Sequence, residues 1–372
     1  MDGHPAGRGG RDRFEPREIG VEEKSNVRLP LLLIAGYFLF ILYGSLSPFT
    51  GWRDQGLNFF DVLKEPLVLT FTAFDAAVNM LSYVPFGFLV ALALRSRLGA
   101  IPSALLALVC GMLVSAGMEF LQMYLPTRVS SNLDILTNTS GSALGGLIAV
   151  SMSSWVGLRM AVKRWRSHFF QHGKGSDLGL ALLALWVFGH INPTLPLLGN
   201  VFIAEIERQP FASVPAEPFG WWASIAVALN LLMLGTLLLT LLRTPRRVLT
   251  TLLAVLCMVA LLKFIIAAVL LKSWALLLWI NGEAMLGILL GFMLLMAIVW
   301  LPRITVIGVG SVVAASYFVI VNFVVDRNTP SAAMSIYHWH YLHLLNYNGL
   351  AQTIAMIFPA LLLFHLWRIR DV

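Results

Sequence analysis

Residues 248–271 read VLTTLLAVLCMVALLKFIIAAVLL, 24 positions in which Lys263 is the single charge. A soluble helix of that length would carry a polar face along one side. This run has none, and at about 1.5 Å per residue it is long enough to cross the ~30 Å hydrocarbon core of a bilayer. The rest of the chain repeats the pattern. Of its 372 residues, 58% are hydrophobic and only 12% charged, against about 25% charged in soluble globular domains. Residues 1–28 alone hold six Lys/Arg and six Asp/Glu, so the remainder is poorer still. That supply cannot build a water-facing surface, which excludes a soluble nucleotide-binding or nucleic-acid-binding domain. The expected fold class is all-α, a polytopic transmembrane helix bundle.

Apolar runs predict about ten spans, at 29–46, 76–94, 101–124, 133–156, 178–192, 221–242, 248–271, 274–301, 304–325 and 350–367. The fifth is short and is expected to run on into the segment around Pro193 and Pro196. Residues 1–28 read as a disordered cytoplasmic tail, with no signal-peptide pattern. With that tail inside, the inner segments carry 19 Lys/Arg and the outer ones 6. The formal charge of +7 therefore reads as a positive-inside bias, placing both termini in the cytoplasm. Trp155, Trp221, Trp222, Trp274, Trp300 and Trp367 sit at span ends, as an aromatic belt does. Residues 157–177, with Arg159, Lys163, Arg164 and Arg166, read as a basic cytoplasmic loop lying on anionic lipid or simply solvated. It divides a four-span unit, 29–156, from a six-span extension, 178–372. Cys110 and Cys257 lie within apolar runs and are not expected to pair.

Polar groups inside a membrane are costly, so their placement carries information. Asp75, Asn79 and Tyr83 lie in the first turns of the second span, Glu119 and Gln122 close the third, and Arg128 follows in the loop. Asp134 and Asn138 open the fourth. Alternating direction brings all of them to the outer face. Glu119 and Gln122 share a helix face, and Asp134, Asn138, Gly141 and Gly145 form one stripe whose glycines let another helix approach. Pro85 and Gly87 favour a kink opening a cavity. Each has a plainer reading: Asp134 or Asn132 as an N-cap, Asn138 as an interhelical hydrogen bond, Pro85 as a packing kink. Together they predict one outer-facing pocket, with Arg128 neutralising the acids.

The ordered string Asn79-x-x-x-Tyr83-x-Pro85-x-Gly87-Phe88, Glu119-x-x-Gln122, Arg128, Asp134-x-x-x-Asn138-x-x-Gly141 resembles the VanZ-like family. The upstream Tyr43–Gly44–Ser45–Leu46–Ser47–Pro48–Phe49 is similar to that family's opening. The resemblance covers roughly residues 31–155 and makes 29–156 a VanZ-like four-helix membrane domain. The six later spans resemble the extension of longer bacterial members. It implies a multi-pass protein of the bacterial cytoplasmic membrane and a cell-envelope role. The founding member is associated with reduced susceptibility to the glycopeptide teicoplanin, without an established reaction.

Other residues read more plainly. His338, His340 and His343, among Tyr337, Trp339 and Tyr341, suggest an interfacial belt in preference to a metal site. His190 and Asn192 read as interfacial. Lys263 lies nine residues before Lys272 and Glu283 nine after Trp274. That spacing puts both at one depth on adjoining spans and predicts an intramembrane ion pair. No Walker, zincin or nucleophile-elbow motif is present.

Four functional readings follow, in order. The first is binding or handling of an envelope lipid, lipid-linked precursor, glycan or glycopeptide-type ligand by Asn79, Tyr83, Glu119, Gln122, Arg128, Asp134 and Asn138. The second is a non-catalytic assembly factor, and the third a hydrolase or transferase with Glu119 or Asp134 as general base. A secondary transporter comes last, because the acids cluster at one face instead of the midplane. Membrane lipids are the expected partners. No cofactor is expected, although Mg²⁺ could bridge the acids to a phosphate.

Overall fold

Long apolar stretches that cannot meet water leave the backbone one solution, the helix, whose hydrogen bonds are all internal. The computed structural model describes residues 28–65, 73–171, 173, 175–199, 219–324 and 342–370. The tail before residue 28 and the His338–His340 stretch lie outside the described residues, as does the side chain of His343.

Twelve α-helices follow one another among the described residues: α1 Arg28–Leu46, α2 Phe59–Lys64, α3 Ala73–Leu98, α4 Ala100–Gln122, α5 Asn132–Ser154, α6 Val156–Phe169, α7 Ser176–His190, α8 Trp221–Leu241, α9 Val248–Leu270, α10 Gly282–Ile298, α11 Arg303–Val319 and α12 Leu342–Ile369. A π-turn, Ile320–Val324, extends α11. Eight of these are long and apolar enough to cross a membrane, and α7 and α10 are shorter apolar helices. They correspond to the ten expected spans. The six tryptophans expected at span ends are all exposed.

α3, α4 and α5 pack on one another, with α1 against α3 and α4. Tyr83, Phe86, Val90, Ala91, Ala107 and Met118 fill their shared core. The second group is centred on α8, apolar on every side, with α7, α9, α10, α11 and α12 against it. Its apolar window is 83% buried, against 44% or less for the other long spans; a helix without a polar face belongs in the middle of a bundle. α1 links the groups: Phe40 stacks on Phe188 of α7 at 4.4 Å between ring centroids, and α1 also meets α12.

Three local expectations are corrected. The basic stretch 157–177 is largely the exposed helix α6, not a loop. The span expected at 274–301 begins only at Gly282, because Asn281 caps it by accepting from the Ala284 N–H. Ser273–Ala275 is a separate 3-10 turn. Finally, α7 stops at His190, and Asn192–Leu195 continue as buried, non-helical chain. Pro193 disfavours helical backbone at the residue before it and has no N–H to give.

Candidate functional site

α3 and α5 meet backbone to backbone. A Cβ added at Gly141 would overlap the Met80 carbonyl, and one at Gly145 the Val84 carbonyl; one at Gly87 would overlap the Ser142 carbonyl. Only glycine allows that approach. Gly87 therefore serves close packing, and α3 runs through Pro85 as a continuous helix with Pro85 on its exposed side. The kink-opened cavity expected from Pro85 and Gly87 is replaced by a tight seam.

The seam carries the polar residues at one end of the bundle. Asn79 Nδ2 donates to Asp134 Oδ1 at 2.8 Å, joining α3 to α5. Glu119, 3% exposed, accepts the Ser131 backbone N–H on Oε2 at 2.8 Å. Ser131 in turn caps α5 by accepting from the Leu133 N–H. The carboxylate thus holds the N-terminus of α5, where the helix dipole favours negative charge. Asn138 Nδ2 donates to Ser115 Oγ at 3.0 Å between α5 and α4. Gln122 faces α1 and donates to the Ser45 carbonyl at 3.0 Å.

Three buried polar atoms of this bundle complete no hydrogen bond with a described residue: Tyr83 OH, Asn138 Oδ1 and, two turns beyond Asp134 along α5 and against Gly111 of α4, Ser142 Oγ. Tyr83, 3% exposed, sits beside Ser115 and within electrostatic reach of Glu119 and Asp134. Orphaned buried groups are uncommon, since each forfeits its hydration without compensation. Asp75 occupies the first turn of α3 at the same end.

Arg128 does not neutralise the acids by contact. Its Nη2 donates to the carbonyls of Gly44, at 3.1 Å, and Ser47, at 2.9 Å. No carboxylate lies within salt-bridge distance of it among the described residues. The reason is local. The chain leaving α1 turns the Gly44 and Ser47 carbonyls toward Arg128, and one guanidinium nitrogen donates to both. Half-burial holds the Arg128 pKa below its ordinary value, with the Glu119 charge acting the other way. The Tyr43–Phe49 opening thus presents main-chain acceptors to Gln122 and Arg128.

A second polar cluster, which sequence reading missed, occupies the α8 group. His190 and Asn192, expected at the interface, are 8% and 0% exposed. Asn230 of α8 accepts from Trp186 Nε1 at 2.9 Å and donates to the Leu198 carbonyl at 2.9 Å. Its Nδ2 also lies 2.7 Å from His190 Nε2. His190 Nδ1 faces the Trp186 carbonyl at 2.6 Å, and a carbonyl only accepts, so the proton belongs on Nδ1. Asn192 Nδ2 donates to Asn348 Oδ1 at 2.8 Å.

The expected Lys263–Glu283 ion pair is absent. Lys263 Nζ donates instead to the carbonyls of Asn192 and Leu195, at 2.5 and 2.8 Å. Glu283 accepts from the Gly220 N–H at 3.4 Å in the first turn of α10. Because α10 starts at Gly282 and not near Trp274, Glu283 sits at a helix end, and the depth match behind the pairing disappears. A mid-span Asn230 and a mid-span Lys263 were the available signals for this cluster, but neither indicates its partners.

Comparison with curated proteins and with solved structures returns no match. The VanZ/LLP1 family model matches residues 24–153, a stretch that takes in α1 to α5 and every polar residue of the α3–α5 seam. The chain is thus a multi-pass membrane protein whose first bundle is similar to the VanZ/LLP1 family.

Proposed function

We propose that the VanZ-like domain binds the polar head group of a cell-envelope lipid or lipid-linked glycan at the acidic end of α3, α4 and α5. The observation that supports this reading is a pair of buried atoms that complete no hydrogen bond with a described residue: Tyr83 OH, within electrostatic reach of Glu119 and Asp134, and Asn138 Oδ1, one helical turn from Asp134. Asn138 Oδ1 only accepts, whereas the Tyr83 hydroxyl both donates and accepts. A ligand rich in hydroxyl or amino groups satisfies both, and the carboxylates favour such donors. At the rim, Arg128 uses only Nη2 toward the described residues, leaving Nη1 and Nε for a phosphate oxygen. Glu119 and Asp134 already accept protein hydrogen bonds, which favours binding over proton abstraction. The domain belongs by this reading to the bacterial cytoplasmic membrane, with the acidic end outermost. Retention of a cell-wall precursor there would alter susceptibility to teicoplanin-type glycopeptides.

The test uses the full chain in nanodiscs, with native mass spectrometry of binding by polyprenyl phosphate, its sugar-linked form and phosphatidylglycerol. Tyr83→Phe and Asn138→Leu should lose preference for the sugar-linked lipid while retaining thermal stability. Equal binding of all three lipids, or an unaffected preference in both variants, would overturn the reading.

A further inference from the structure

α6 differs from every span. It follows α5 directly, and none of its residues is buried. Leu158, Ala161, Val162, Trp165 and Phe169 fall at helical offsets 0, 3, 4, 7 and 11, forming one apolar stripe. Val162 and Trp165 on that stripe are each 56% exposed. Arg159, Lys163 and Arg166 line one flank and Arg164 the other, and the helix contains no acid.

The tertiary structure adds a second basic element to it. Gln171 N donates to the Leu241 carbonyl at 2.8 Å, and Arg243 N to the Phe169 carbonyl at 3.0 Å. These bonds dock the turn between α8 and α9 on the end of α6. Arg247 lies over the Phe169 ring at 5.9 Å and contacts His168 at 3.1 Å. Arg166 is engaged by Asp177 at 2.6 Å. That leaves Arg159, Lys163, Arg164, Arg243 and Arg246, all exposed, around an apolar stripe that is open at Val162 and Trp165, at the end of a membrane span.

We propose that α6 and the docked α8–α9 turn form one surface that seats on an anionic phospholipid leaflet. Val162 and Trp165 enter the boundary between head groups and acyl chains, and the five exposed cations meet lipid phosphates. The chemistry matches on both counts. An apolar stripe with a tryptophan suits that boundary, and clustered cations beside a span attract anionic head groups within a Debye length. The chain itself holds the helix there, because α5 and α7 anchor its two ends. This surface is independent of the head-group site at the acidic end.

The experiment places a fluorescent probe on Val162→Cys in a Cys110→Ala, Cys257→Ala background. The full chain is reconstituted in vesicles of phosphatidylcholine alone or with phosphatidylglycerol. A blue shift confined to the phosphatidylglycerol vesicles, reversed by high salt, is expected. Combining Arg159→Gln, Lys163→Gln and Arg164→Gln should weaken it; the comparison of lipids in the unneutralised protein needs no such variant. An equal shift in both vesicles would mean apolar seating without an anionic partner and overturn the proposal. A probe that stays water-exposed in both, as on a solvated helix or a protein-docking face, would overturn it as well.

Discussion

The ammonium of Lys263 on α9 donates to the main-chain carbonyl of Asn192, 2.5 Å away, beyond the end of α7. A second bond reaches Leu195. A buried side chain of one helix thereby satisfies carbonyls that a broken helix left without partners. Non-helical backbone at membrane depth is tolerated where protein meets its polar groups in this way.

Lys263→Ala should therefore destabilise the protein by several kcal/mol, since each buried carbonyl left unsatisfied costs about 1–3 kcal/mol. The double reversal Lys263→Glu with Glu283→Lys should not rescue it. Thermal unfolding in detergent measures both. Full restoration by the reversal would mean that the two residues do pair.

Asn230 is expected to be as sensitive. Its amide serves Trp186, His190 and Leu198 together, so Asn230→Leu removes three contacts in a buried network and should cost on the order of 3 kcal/mol. Indole fluorescence of Trp186 against a Trp186→Phe reference would report the loss locally. A stable Asn230→Leu protein would show the network to be dispensable.

Gly141→Ala should be far costlier than one methyl usually is. The new Cβ meets the Met80 carbonyl, while a Cβ at Gly36 meets nothing within 4 Å. Overpacking costs roughly 1–3 kcal/mol, and more where backbone must move. Comparing yield and melting temperature of Gly141→Ala and Gly36→Ala tests this directly. Similar behaviour would contradict the close α3–α5 approach.

Arg128→Lys should lower stability modestly, by about 1 kcal/mol, because the shorter lysine side chain falls short of the point from which Nη2 reaches both Gly44 and Ser47. Glu119→Gln should leave that clamp in place. An accessibility probe at Ser45→Cys would follow the end of α1. Release of α1 by Glu119→Gln but not by Arg128→Lys would reverse the assignment.

Composition and the spacing of apolar runs already determined the all-helical class and the ten apolar segments. The reason is that a lipid-embedded chain has a single economical backbone solution, written residue by residue in its hydropathy. The acidic end of the first bundle was legible too, because Asn79, Glu119, Gln122, Asp134 and Asn138 stand at alternating span ends, and alternation fixes which ends coincide. Partners were another matter. Depth along a helix places Lys263 in the bilayer, but which group answers it depended on where α7 broke and where α10 began. Arg128 lay near the acids in sequence, yet it donates to the carbonyls of Gly44 and Ser47 at the end of α1, more than 80 residues upstream. Periodicity fixes how each helix is oriented about its own axis; only packing decides which polar group of another helix arrives there.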